Sequence, residues 1–253
     1  MKTPILLTTM TVVTLLTTSC GGSKQTDNTP FDTADLTWAD LTGHVKECVV
    51  QSFAAKEEGE SRVKEGPALT TRTFTFNEEG LLTSDQECTQ GYTGPKYIFT
   101  TDGEMKTTAK VDGDESRTAT LTRDGDGRII ELTNRSTVDP EYDDMQLSLV
   151  YTWVSGRVAK HSYTGWEWGA DERFTFNDQG QCTNSLIESI DLGAGSDTDK
   201  KYTYLSTDEQ GNWTSREVTV TTRTWEESPI DNERTYSSPD VSHFIETRTI
   251  SYY

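Results

Sequence analysis

The chain has 253 residues, of which only 32% are hydrophobic, and a formal net charge of −19. A surface that acidic is repelled by nucleic-acid phosphates and anionic headgroups, which excludes both as electrostatic partners. The length suits one or two domains or a single repeat array, and abundant Thr, whose β-branched side chain suits a half-buried pleat, points to an all-β protein with a thin core.

Residues 1–19 read as a signal peptide. Lys2 gives a minimal positive start, and Ile5 to Leu16 form an apolar run too short to span a bilayer. Leu16-Thr17-Thr18-Ser19 then sets small residues before Cys20. This pattern resembles a bacterial lipoprotein leader, which implies cleavage before Cys20 and acylation of its thiol. Cleavage removes Lys2 and no acidic residue, so the mature chain is more acidic still. Membrane contact is therefore expected through the lipid alone, and stable anchoring takes more than one acyl chain. Gly21 carries no inner-membrane retention signal, so the expected address is the outer membrane of a cell envelope, with the periplasmic and surface faces both open.

Residues 20–42 read as a lipidated, flexible linker, since Gly21 to Pro30 has linker composition. Asp32-Thr33-Ala34 resembles an O-glycosylation acceptor pattern of some diderm envelope proteins. Leu36 to Leu41, with Trp38, reads as a helical turn covering the end of the first sheet.

Residues 43–253 read as one β domain beginning with a strand from His44 to Phe53. A unit then repeats, visible when Gly80, Gly103, Gly127, Gly156, Gly180 and Gly211 are aligned, at spacings of 23, 24, 29, 24 and 31 residues. Two residues after each glycine stands an apolar residue: Leu82, Met105, Ile129, Val158, Cys182 or Trp213. Six and four residues before come Phe74/Phe76, Tyr97/Phe99 and Phe174/Phe176, with looser equivalents at Tyr151/Trp153 and Tyr202/Tyr204. Even offsets put each pair on one strand face. Asn77, Asp124, Asn177 and Asp208 stand three before Gly80, Gly127, Gly180 and Gly211, as a turn closing with a bulge requires. Pro67, Pro95, Pro140, Pro229 and Pro239 fall in predicted gaps, where no ladder donor is lost. The expected fold is all-β: an antiparallel β-meander of repeated hairpins, about 12–15 strands in an extended twisted or curled sheet.

Acylation of Cys20 leaves Cys48, Cys88 and Cys182. In an oxidising envelope Cys48 and Cys88, on early strands, are the expected disulfide, and Cys182, in the apolar column, is a core thiol. Tyr202-Thr203-Tyr204 followed by Asp208-Glu209-Gln210-Gly211-Asn212-Trp213 resembles the YD repeat of RHS-type proteins. Phe76-Asn77 and Phe176-Asn177 are similar, with Phe-Asn in place of Tyr-Asp. The resemblance covers about residues 70–220 and implies a β-meander of the kind found in small envelope lipoproteins with degenerate repeats. The toxin-enclosing shell of the giant members is not implied, because the units are few and Asp139-Pro140 does not match their self-cleavage motif.

The sequence carries no Gly-x-Ser-x-Gly elbow, His-Glu-x-x-His, Cys-x-x-Cys or Gly-rich phosphate loop. His44, His161 and His243 are scattered and read as surface or strand-edge residues. Asp124-Gly125-Asp126-Gly127 lacks the later ligands of a calcium loop and reads as a solvated hairpin turn. No metal, cofactor or catalytic group is expected. Trp166 and Trp168 alternate on one strand face, and with Tyr163, Glu167 and Asp171 they form a candidate glycan platform. The leading expectation is a non-catalytic, lipid-anchored β-repeat scaffold that meets an envelope protein or polysaccharide, in an undetermined oligomeric state. A glycan-binding module is the alternative, and a hydrolase on an unfamiliar β scaffold the third. Function is expected where the repeat is broken, at residues 138–145, 163–171 and 193–200.

Overall fold

The structure, a computed structural model, describes residues 31–137, 147–165, 168–191, 193–228 and 233–253. One short helix, α1 (Ala34–Trp38), precedes β1 (Val45–Glu58), β2 (Ser61–Phe76), β3 (Leu82–Thr89), β4 (Tyr92–Thr101) and β5 (Thr107–Val111). Then come β6 (Arg117–Arg123), β7 (Ile129–Ser136), β8 (Leu147–Val154), β9 (Arg157–Thr164) and β10 (Trp168–Phe176). The chain ends with β11 (Cys182–Asp191), β12 (Ala194–Thr207), β13 (Trp213–Glu227), β14 (Arg234–Tyr236) and β15 (Asp240–Tyr252).

Every pairing is antiparallel, and β1 to β13 each pair with the next strand in the chain. β15 lies between β13 and β1, so the sheet closes on itself, and the short β14 extends the wall beside β13. The expected meander is there, but the extended or curled sheet is corrected to a closed barrel of fourteen strands plus one. Closure gives the N–H and C=O groups of both terminal strands a partner, which removes the exposed edge that an open sheet would carry.

The repeat turns all lie at one end. In the Asn77, Asp124, Asn177 and Asp208 turns, the side-chain oxygen accepts the backbone N–H four residues on at 2.9–3.0 Å, and the glycine takes a φ of +74° to +89°. The second unit is shifted from its predicted alignment. Asp102 takes the capping position there and Met105, at φ +61°, takes the left-handed one, so Met105 is 42% exposed and not in the apolar column. The fourth turn is a two-residue hairpin, Ser155-Gly156, with both φ values positive, which accounts for the displaced Tyr151/Trp153 pair. Pro67 and Pro95 are also corrected: both lie inside strands, at irregularities opposite Phe53 and Glu87 where the ladder skips. A missing N–H is tolerated at such a bulge. Pro140 and Pro229 lie outside the described residues.

The aromatic pairs point inward, as their even spacing demands, while many Thr and charged residues point out. Gln51, Gln86, Lys110, Glu131, Asp171 and Asp199 all sit on the outward parity. A membrane-spanning barrel needs an apolar outer band, and charges at mid-wall oppose it. Two outward apolar patches are covered by the protein itself. The tip of the β1–β2 hairpin folds over β15 and β13, where Arg62 pairs with Glu217, and Lys64 donates to Thr247 at 3.3 Å and lies over Phe53. Trp225 packs on Gly195 beneath Arg234 and donates to Asp197 at 3.1 Å.

Residues 31–42 divide the predicted linker: they belong to the folded body, and residues 20–30 lie outside the described residues. α1 plugs the turn end. Thr33 caps it by accepting from Leu36 N at 3.2 Å and donates to Gly80 O at 2.8 Å, so the hydroxyl of the Asp32-Thr33-Ala34 pattern is engaged in the fold. Leu36 and Asp35 are fully buried, and Asp35 accepts from Leu82 N at 2.7 Å and pairs with the equally buried Arg123. Trp38 sits edge-on between Phe74 and Tyr151. Past the helix, Asn212 brackets Thr42 through its N–H and C=O, and Trp213 donates to Asp40 at 3.0 Å.

Candidate functional site

The barrel interior is unevenly filled. The buried apolar cluster draws on the plug and on β1–β8, from Leu36 through Phe74, Phe76, Leu82, Ile129 and Leu132 to Tyr151. Beside the C-terminal end of α1 a cavity of about 830 Å³ remains, bounded on one side by β9–β13 and β15 and on the other by β1–β4, β7 and β8, with Arg72, Asp85 and Tyr97 among the latter. That is the size of an ordinary small-molecule site.

Its wall carries charges in pairs. Arg72 grips Asp85 bidentately, through Nε to Oδ1 at 3.0 Å and Nη2 to Oδ2 at 2.8 Å. Burial opposes the Arg72 charge, but Asp85 outweighs it and holds the guanidinium pKa above its ordinary value. Arg216 binds Glu246 Oε2 through Nε at 2.7 Å and Nη2 at 2.6 Å, and lies over the rings of Tyr202 and Trp213. Arg248 also lies over the Trp213 ring, while donating to the carbonyls of Asp40 at 2.7 Å and Ala39 at 3.1 Å.

The third pair is a small network. Glu172 Oε2 meets His161 Nε2 at 2.7 Å, Oε1 accepts from Ser185 Oγ at 2.6 Å, and Lys200 stands 3.7 Å away. Tyr163 OH lies 2.9 Å from the same His161 nitrogen, and His161 packs edge-on against Tyr151 and Phe174. Burial alone would raise the Glu172 pKa; the His161 hydrogen bond, the Lys200 charge and Ser185 overcome it and hold the carboxyl down to about 2. Burial pushes the Tyr151 phenol up to about 12. Near neutrality Glu172 is therefore a carboxylate and Tyr151 a neutral phenol.

The sequence-predicted site residues are not brought together. Tyr163 lines the cavity, whereas Asp171 faces outward, bonded to Ser162 at 2.6 Å and Lys160 at 2.9 Å. The register Tyr163↔Ala170 sets residue 171 on the opposite face, which corrects the single-platform expectation. Trp168, 45% exposed at the start of β10, lies against Gly165. Trp166 and Glu167 lie outside the described residues, as does Cys20. The Cys48–Cys88 disulfide is also corrected: Cys48 faces inward opposite Phe74, Cys88 faces outward opposite Thr71, and both are free thiols. Two side chains on opposite sides of a β-wall cannot meet the geometry of a bridge. Cys182 is buried, and burial pushes its thiol up to about 11, far from a reactive thiolate.

Sequence reasoning missed the charged wall, though a signal was present. Arg72, Glu172 and Lys200 each stand two residues before an aromatic pair, on its inward parity. The Asp124 turn is a hairpin in which Asp124 binds Arg128 at 2.7 Å, and no cluster of three or more His, Cys, Asp or Glu side chains arranged for a metal is found among the described residues.

No family model matches the chain, and no curated protein matches it; the YD-repeat resemblance rests on its own residues. Among solved structures the chain is similar to a porin-like protein from Bacteroides uniformis. The TM-score is 0.44 at 12% identity, over 82% of this chain and 96% of that one. The porin-like description belongs to that protein; the outward charges here distinguish this wall from a lipid-facing one.

Proposed function

We propose that the protein is a non-catalytic envelope lipoprotein that holds a small ligand inside its barrel. One observation carries this reading: the 830 Å³ cavity that α1 leaves open in the barrel interior. A polar outer wall gives the barrel no hold on a bilayer, so retention falls to the acylated Cys20. The described chain begins at Phe31 on the plugged end, where its carbonyl accepts from Gly43 N at 2.9 Å. Eleven residues from Cys20 to Phe31 reach at most about 35–40 Å, which keeps the plugged end towards the membrane. This location, like the scaffold reading that shares it, rests on the sequence.

The test is native mass spectrometry of the protein isolated gently from its own envelope. A bound small molecule, released on unfolding and lost in a Val220→Trp variant that fills the cavity, is the expected result. A barrel that carries only water overturns the reading. Acylation is checked separately by palmitate labelling, expected for the wild type and abolished by Cys20→Ala.

A further inference from the structure

We infer that the ligand of this chamber is an uncharged, polyhydroxylated molecule of the size of a di- or trisaccharide, seated on the arc formed by β13, β15, β1 and β2. The inference rests on the binding-chamber reading and names its ligand class.

The register builds the seat. Arg216 pairs with Glu246, Glu246 with Ser52, and Ser52 with Thr70, so four adjacent strands put one polar row on the cavity wall. The next inward row on the rim side is apolar, Tyr202↔Val218↔Phe244. The polar row crosses β13, β15, β1 and β2 and the apolar row β12, β13 and β15, so the two bands lie side by side on β13 and β15. A pyranose has the matching character, with an apolar ring face and an edge of hydroxyls.

The free hydrogen-bonding capacity also matches. Glu246 uses Oε2 for Arg216 and leaves Oε1, and the Ser52 and Thr70 hydroxyls form no bond among the described residues. At the two ends of the seat, Arg72, two residues along β2 from Thr70, leaves Nη1 after gripping Asp85, and the Lys200 ammonium, opposite Val220, stands beyond hydrogen-bond distance of Glu172. The seat thus offers both free donors and a free acceptor, and a group that is both, such as a hydroxyl, satisfies them together. An acyl chain would desolvate this row and give nothing back. An anion would meet the open Glu246 oxygen after approaching a protein of net charge −19.

Isothermal titration of the full-length mature chain against maltotriose, cellotriose, xylotriose, chitotriose and laurate tests this. At least one saccharide should bind and laurate should not. Thr70→Val and Ser52→Ala, which leave every ion pair intact, should each weaken that binding about tenfold with unchanged melting temperature. Saccharide binding that ignores both variants overturns the seat. Laurate binding without saccharide binding, or a different class of co-isolated molecule, overturns the ligand class and leaves the chamber standing. No binding here and an empty barrel by native mass spectrometry overturn both.

Discussion

One repeat unit is put to two uses in this barrel. On β1–β8 most inward residues are apolar and pack against α1, with Leu36 at their centre; the Asp35–Arg123 pair is buried among them, and Arg72–Asp85 stands where these strands reach the cavity. On β9–β15 the same inward parity carries His161, Glu172, Lys200, Arg216, Glu246 and Arg248, partly open to a cavity. The difference lies in what stands opposite. A plug about a turn and a half long fills only one side of a fourteen-strand cylinder, since a barrel this wide is not closed by its own side chains. Where the plug does not reach, inward charges border the cavity and are held in pairs, Glu246 at 21% exposure against 0% for Asp35.

The largest expected effect compares the two ion pairs. Arg123→Met strands a fully buried Asp35 carboxylate and should destabilise the protein by about 3–5 kcal/mol in urea unfolding. Arg216→Met leaves Glu246, 21% exposed, able to turn to lumenal water and should cost about 1–2 kcal/mol. Equal losses would show that the two walls are equally dry and would break the comparison.

A second experiment probes the polar wall by pH. The Glu172 pKa, about 2 in the fold, lies below its ordinary 4.5, so the carboxylate is stabilised by folding. That contribution is complete above pH 4.5 and is lost as the pH falls towards 2. A shift of this size corresponds to roughly 3 kcal/mol. Melting curves between pH 5 and 2 should therefore fall steeply for the wild type and more shallowly for Glu172→Gln. Parallel curves would place the acid sensitivity elsewhere.

Much of the repeat half of the fold was readable from spacing. Phe74/Phe76 with Asn77 and Gly80 specify strand, turn and inward face together, because parity and turn chemistry are local properties. Closure was not readable, since it depends on β15 meeting β13 past the short β14 and meeting β1 across the whole chain. The Cys48–Cys88 pairing failed for a local reason: β2 lies between their strands, and their partners on it, Phe74 and Thr71, are three residues apart and so point to opposite faces. Of the chamber, only Tyr163 had been singled out as a ligand contact. Its charged partners went unread because charges are so numerous that only their parity with the aromatic pairs distinguishes them.

The smallest expected effects belong to the turns and carry the comparison to the repeat itself. Gly180, on the polar side, has φ +78°, and a Cβ there would press on the Arg157 guanidinium, a side chain able to move. Gly180→Ala should then cost mainly backbone strain, about 1–2 kcal/mol. Met105, on the packed side, already bears that strain at φ +61° in the equivalent position. Replacing it by Gly relieves about 1–2 kcal/mol of strain and returns roughly 0.5–1 kcal/mol through a more flexible unfolded chain. Met105→Gly should therefore stabilise by about 0.5–1 kcal/mol, raising the urea midpoint with an unchanged slope. A loss on that substitution would mean that Met105 supports the plugged end through packing, and that Gly103 rather than residue 105 marks the repeat.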